Sequence, residues 1–149
     1  MRLCLYQPEI PQNTGTLLRT AACFGVGVDI IEPCGFGISD RKLRRAGLDY
    51  TQHVDLKLHD HYKAFCTVYR PQKRLVLLST KATDVYTDFC FRKDDILMLG
   101  READGVPERV EDDVDARIII PMQPACRSLN VAIAGAVVLS EAMRQLKLN

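Results

Sequence analysis

The chain has 149 residues, with 20 Lys and Arg against 19 Asp and Glu, and 47% hydrophobic and 26% charged content. That composition reads as one domain over residues 1–149, burying roughly 70% of its unfolded surface, and argues against a disordered or multi-domain chain. The near-neutral balance supplies no global field for a polyanion, so a nucleic-acid partner has to be met by a local basic patch. No apolar run approaches the roughly 20 residues of a bilayer-spanning helix, and Pro8, Glu9 and Pro11 stand where a signal peptide needs apolar residues. The expectation is a cytoplasmic protein with no membrane partner. Six cysteines (Cys4, Cys23, Cys34, Cys66, Cys90, Cys126) form no CxxC pair, and they are expected to be reduced thiols packed as small hydrophobes.

Strand-like apolar runs recur at 3–6, 26–31, 75–79, 96–99 and 117–120, with helical or loop stretches between them. This alternation predicts an α/β fold with a mostly parallel sheet and helices on both faces. The first helix is expected over 13–24, capped by Asn13 after Pro11 and ended by Gly25 and Gly27. Leu17, Leu18, Ala21 and Phe24 fall on its packed side, and Thr16, Arg19 and Cys23 point away. The last helix is expected over 128–146 with Ser128 as its cap. Its first half, 129–139, is apolar nearly all round apart from Asn130, which suggests burial on more than one side and a homodimer contact. Further along, Glu141, Arg144 and Gln145 make a wet face opposite Leu139, Met143 and Leu146.

Three segments differ from ordinary scaffold. In Pro8-Glu9-Ile10-Pro11-Gln12-Asn13-Thr14-Gly15, two prolines stiffen a strand-to-helix loop, and the helix start offers free N–H groups with Arg19 further on. Such a start suits a phosphate or other anion, and it equally suits a capped helix with a solvated arginine. In Leu97-Met98-Leu99-Gly100-Arg101-Glu102-Ala103-Asp104-Gly105-Val106-Pro107, a strand enters a loop with two glycines, at the strand end where open α/β sheets place their ligands. A plain turn explains that string too, and it matches neither GxGxxG nor a P-loop. In the third, running from Ile118 to Asn130, a strand breaks at Pro121 and a polar loop leads into the last helix. Asn130 either bonds structurally or binds a ligand, because an amide in an apolar helix is costly when unpaired.

The run Arg41-Lys42-Leu43-Arg44-Arg45 is the densest positive cluster, open to reading as a phosphate contact or a solvated helix face. His53, His59 and His61 with Asp55 and Asp60 only superficially suggest a metal site, since no helical HxxxH or cysteine partner completes one. Tyr50, Tyr62 and Tyr69 are too scattered to establish a base-stacking platform.

In order, the three segments resemble the three motifs of the SPOUT superfamily of RNA methyltransferases, in the branch that methylates ribose 2′-oxygens. The similarity spans nearly the whole chain. The opening Leu5-Tyr6-Gln7-Pro8-Glu9-Ile10-Pro11-Gln12-Asn13-Thr14-Gly15, the block Ile31-Glu32-Pro33-Cys34-Gly35-Phe36 and the block Leu43-Arg44-Arg45-Ala46-Gly47-Leu48-Asp49-Tyr50 resemble the small members that act on the tRNA wobble nucleotide, cytidine or modified uridine. The chain length agrees, leaving no room for the added substrate domain of ribosomal-RNA relatives.

The resemblance implies an α/β-knot fold with a deep C-terminal trefoil knot and S-adenosylmethionine held among the knot loops, with S-adenosylhomocysteine as product and no metal. It further implies a homodimer acting on the anticodon stem-loop, with a site assembled from two subunits. Carried over by position, cofactor contacts fall on Leu78, Gly100, Ile120 and Ser128, with Glu102, Met122 and Leu129 as neighbours. Arg19 matches the arginine that activates the 2′-hydroxyl. Because a guanidinium stays protonated, phosphate binding and oxyanion stabilisation suit it better than a base role. Asn13, Glu102 and Asn130 order the loops and orient substrate, while Arg41, Lys42, Arg44 and Arg45 meet RNA. The chain departs from the pattern at Ala125 and Cys126, and at Val131 and Ala132, where relatives are often more polar. Three rival readings remain: a non-catalytic RNA-binding module on the same fold, a methyltransferase for another tRNA or rRNA position, and an unrelated nucleotide-binding domain.

Overall fold

In the computed structural model, residues 1–37 and 53–147 are described. In chain order the elements are β1 (Arg2–Tyr6), α1 (Pro11–Phe24), β2 (Gly27–Ile31), β3 (Leu56–His59), α2 (Tyr62–Tyr69), β4 (Leu75–Leu78), β5 (Asp84–Val85), β6 (Ile96–Leu99), α3 (Glu108–Glu111), β7 (Ala116–Ile119) and α4 (Val131–Leu146). The strands form one sheet in the order β3-β2-β1-β6-β4-β7-β5, with parallel pairing between every neighbouring pair. The expected α/β architecture is present.

The centre of the sheet is apolar on both sides because successive side chains alternate between faces. Leu3, Leu5, Leu97 and Leu99 pack with Leu17, Leu18 and Ala21 of α1 and with Ala132, Val138, Leu139 and Ala142 of α4. Cys4, Tyr6, Ile96 and Met98 point to the other face, onto Phe65 and Tyr69 of α2 and Val110 of α3. Gly135 lets α4 approach closely, since a Cβ there would lie 2.7 Å from Leu99 Cδ1 and 2.8 Å from Leu17 Cδ2.

Several local expectations need correction. Helix α1 begins at Pro11, with Ile10 as its N-cap, because proline at the first helical position wastes no N–H. Asn13 is therefore inside the first turn, and its amide is used elsewhere. Gly25 does close the helix, at φ +65°. Phe24 is exposed and does not join Leu17, Leu18 and Ala21 on the packed side. Helix α4 begins at Val131 and is capped by Asn130, leaving Ser128 in the loop before it. On the single chain Leu129 and Ile133 are exposed, while Ala132, Gly135, Val138 and Leu139 face the core. All six cysteines are free, but Cys23, Cys90 and Cys126 are exposed and do not pack as hydrophobes. Strands β3 and β5 were not anticipated: β3 is a short edge strand with Lys57 and Leu58 exposed, and β5 has two residues.

The histidines do not converge. His59 is buried, its Nε2 2.7 Å from Oδ1 of the fully buried Asp29, which also accepts from the Tyr69 hydroxyl (2.8 Å) and from Arg2. His61 caps α2 by accepting from Ala64 N–H through Nδ1. Among the described residues no helix is long and apolar enough to cross a membrane.

Candidate active site

Parallel pairing brings the carboxyl ends of β1, β4, β6 and β7 to one edge of the sheet, the usual ligand edge of an open α/β fold. A cavity of about 570 Å³ opens there, bounded by the loops after β4, β6 and β7 and by the start of α4. Its size is that of a cofactor pocket. Leu78, Gly100, Glu102, Ile120, Met122, Ser128 and Leu129 all line it, as do Asn13 and Asn130. Arg19 lies outside that lining, on the exposed side of α1. Arg41, Lys42, Arg44 and Arg45 fall outside the described residues.

The two glycines of the second segment shape the wall. A Cβ on Gly100 would lie 2.6 to 2.9 Å from backbone atoms of Gly105, and Gly105 itself sits at φ +72°. The loop folds back on itself through Arg101 N–H to Gly105 O (2.8 Å) and Gly105 N–H to Arg101 O (3.1 Å). Any side chain at Gly100 would force these strands of backbone apart.

A directed hydrogen-bond relay then joins all three segments. The Glu9 N–H donates to Glu102 Oε2 (2.8 Å), and Asn13 Nδ2 donates to Glu102 Oε1 (3.1 Å). Asn13 Oδ1 accepts from Asn130 Nδ2 (2.9 Å). Asn130 Oδ1 caps α4 by accepting from Ala132 N–H (2.9 Å) and Ile133 N–H (3.3 Å). Asn130 thus bonds structurally while also lining the pocket. In the reverse direction, Glu9 Oε2 accepts from Ala103 N–H (2.9 Å) and Oε1 from Arg101 Nη2 (2.9 Å). The Ala103 N–H and then the Arg101 guanidinium hold the Glu9 carboxyl below the usual carboxylate range.

Gly35 docks on the same loop. The Gly35 N–H donates to Pro8 O (2.9 Å), and a Cβ on Gly35 would lie 2.9 Å from Glu9 Cα. Beside this contact, burial and then the charges of Glu32 and Glu102 push the Cys34 thiol up to about 11.

Motif reading did not identify Ser79, Thr80, Lys81, Glu111 and Arg127 as pocket residues. The signal for Ser79, Thr80 and Lys81 is their position directly after a buried strand, and Arg127 precedes Ser128. Glu111 is distant from every motif and reaches the wall only through the fold, where it faces Lys81 Nζ at 3.4 Å.

The lining fits S-adenosylmethionine. Leu78, Leu99, Ile120 and Leu129 offer apolar walls to a purine, while backbone at Gly100 and the loop after β7 offers donors and acceptors. Lys81, Arg127, Glu102 and Asp104 bring both signs of charge to the same cavity, as a zwitterionic amino-acid group requires. Among the described residues no group of His, Cys, Asp and Glu could hold a metal ion.

Comparison with known proteins gives the same picture. Residues 1–140 match the model of the SpoU rRNA Methylase family. The tRNA (cytidine(34)-2′-O)-methyltransferase of Beijerinckia indica subsp. indica is 58% identical over 145 residues, covering 97% of this chain and 91% of the relative. The protein of that name from Escherichia coli (strain K12) is 43% identical, covering 98% and 94%. A solved structure concerning the 2-OH methylation of C/U34 on tRNA superposes with a TM-score of 0.93 at 44% identity, covering 98% of this chain and 95% of the other.

Proposed function

The chain belongs to the SpoU rRNA methylase family, and from its similarity to tRNA (cytidine(34)-2′-O)-methyltransferases we propose that it is an S-adenosylmethionine-dependent enzyme methylating the ribose 2′-oxygen of the tRNA wobble nucleotide, a cytidine or modified uridine. The observation that carries this reading is the convergence of three separated segments on one cavity, through the Glu9–Glu102–Asn13–Asn130 relay.

S-adenosylmethionine supplies, when bound, a methyl group activated by its sulfonium. The protein's part is to hold cofactor and ribose in line and to manage the hydroxyl proton. Leu78, Ile120, Met122 and Leu129 form the apolar seat, with Gly100, Glu102 and Ser128 completing it. Asn13, Glu102 and Asn130 act indirectly by fixing the loops. The Arg19 guanidinium is a permanent cation that binds the phosphate beside the target and stabilises charge developing on the 2′-oxygen, while the proton passes to that phosphate or to water. Arg41, Lys42, Arg44 and Arg45 are the proposed contacts to the anticodon stem-loop.

We read the active form as a cytoplasmic homodimer. Ile10 at the entry to α1 and Leu129 and Ile133 at the start of α4 are exposed apolar residues on two helices that pack together. A second copy covering them places its α1 near this pocket, which accounts for an Arg19 outside its own chain's lining. The C-terminal trefoil knot belongs to the same reading: after β7, α4 returns to pack on α1 and β6, across the middle of the sheet.

The test is incubation with total tRNA and S-adenosylmethionine carrying a labelled methyl group, followed by nuclease mapping. The expected product is one 2′-O-methyl nucleotide at the wobble position, lost in Arg19→Ala. Label at another ribose would overturn the wobble assignment, and undiminished transfer by Arg19→Ala would overturn the role given to Arg19.

A further inference from the structure

Glu9 is the one member of the relay that touches neither the cavity nor the start of α4, yet it makes the most contacts between the first two segments. Its N–H donates to Glu102, its carboxylate accepts from Ala103 N–H and Arg101, and Gly35 is pressed against its Cα. The loop from Gly100 to Gly105 is already closed by its own pair of backbone hydrogen bonds. Glu9 is therefore not needed to shape that loop. What its carboxylate fixes is the loop's placement against the β1–α1 connection, and hence against α1.

From this we infer that Glu9 is a positioning residue for methyl transfer, setting the cofactor-bearing loop of residues 100–105 in register with the β1–α1 connection, whose exposed Ile10 lies on the face proposed above to seat the second copy and its Arg19. The inference rests on the function proposed above. One side of the reaction is held by the pocket loops and the other by the second copy's α1 seated on that face, so drift of the loop against the β1–α1 connection misaligns methyl and hydroxyl without removing either binding surface. Misplacement by about 1 Å can cost on the order of 100-fold in rate. The side chain must be an anion: Ala103 N–H and Arg101 are both donors, and an amide in place of the carboxylate would turn its NH₂ toward one of them.

The experiment compares wild type with Glu9→Gln by single-turnover methyl transfer to tRNA, calorimetric titration with S-adenosylhomocysteine, and KM for tRNA. The expected result is a kcat at least tenfold lower, with the S-adenosylhomocysteine Kd and the tRNA KM each within threefold of wild type. Arg101→Met removes one of the two donors to the same carboxylate and is expected to show the same split more weakly, which decides the matter if Glu9→Gln fails to fold. An unchanged kcat, or a loss appearing mainly in the Kd, would overturn the positioning role while leaving the tRNA reading intact. Absence of transfer to tRNA by wild type would instead remove that reading, and the positioning role with it.

Discussion

At the scale of single residues, Asn130 shows how one amide serves both fold and site. Its Oδ1 caps α4, and its Nδ2 sets the orientation of Asn13, whose own Nδ2 meets Glu102. Asn130→Ala removes both functions and should cost about 1 kcal/mol, readable by urea denaturation. Asn130→Asp keeps a capping oxygen but offers no donor to Asn13. A flipped Asn13 could satisfy it only by turning Oδ1 toward the Glu102 carboxylate. Asn130→Asp is therefore expected to hold near-wild-type stability while losing at least tenfold in methyl transfer, and equal loss of both would contradict the relay.

Cys34 gives a second residue-scale prediction. Its thiol is raised to about 11, chiefly by burial, so the reactive thiolate is scarce at neutral pH and grows as pH rises toward that value. Alkylation followed by mass spectrometry should show the exposed Cys23, Cys90 and Cys126 modified at pH 8 well ahead of Cys34, whose rate climbs steeply between pH 8 and 11. Rapid labelling of Cys34 at pH 8 would contradict its burial beside the contact of Gly35 with the Glu9 loop.

At the scale of elements, the approach of α4 to α1 and β6 depends on Gly135. Alanine there gains helix propensity of about 1 kcal/mol and meets only the ends of Leu17 and Leu99, so the two effects nearly cancel. Valine cannot be absorbed this way, and Gly135→Val is expected to destabilise by about 2 kcal/mol in urea denaturation, within the usual range for overpacking. A neutral valine would mean that α4 sits further from the sheet.

Elements were unevenly readable from the sequence. The buried strands β1, β2, β4 and β6 announce themselves as apolar runs because a parallel sheet covered on both faces needs them, and β7 does so through Ile118 and Ile119 despite its exposed Arg117. The edge strand β3 does not, since Lys57 and Leu58 face outward and its pairing partner supplies the order. Helix starts were misplaced for a related reason. Asn13 and Ser128 are good capping residue types, but tertiary hydrogen bonds claim Asn13, and Asn130 takes the cap of α4. The pocket residues were found through resemblance, because Leu78, Gly100 and Ile120 line the site as an ordinary run of strand and loop. The relay could not be read from sequence, as it joins residues about 90 and 117 positions apart.

At the scale of the molecule, the exposed Ile10, Leu129 and Ile133 mark the face proposed for a second copy, with Ile133 53% exposed on the single chain. Ile133→Glu is expected to shift sedimentation from dimer toward monomer and to lower methyl transfer in parallel, because a charge there would have to be desolvated on association. A dimer that survives this change would move the interface elsewhere. The proposed knot lies beyond what periodicity can reveal, because general topology rules disfavour threading, and its expectation comes from the family resemblance alone.

The central claim is chemical, that the target atom is the 2′-oxygen of the wobble ribose. It is tested most directly with two anticodon stem-loops, identical except that one carries ribose and the other 2′-deoxyribose at nucleotide 34, each incubated with the protein and S-adenosylmethionine under single-turnover conditions. One methyl group should pass to the ribose form and none to the deoxy form, with both stem-loops binding comparably. Equal methylation of the two would place the accepting atom elsewhere and contradict the account.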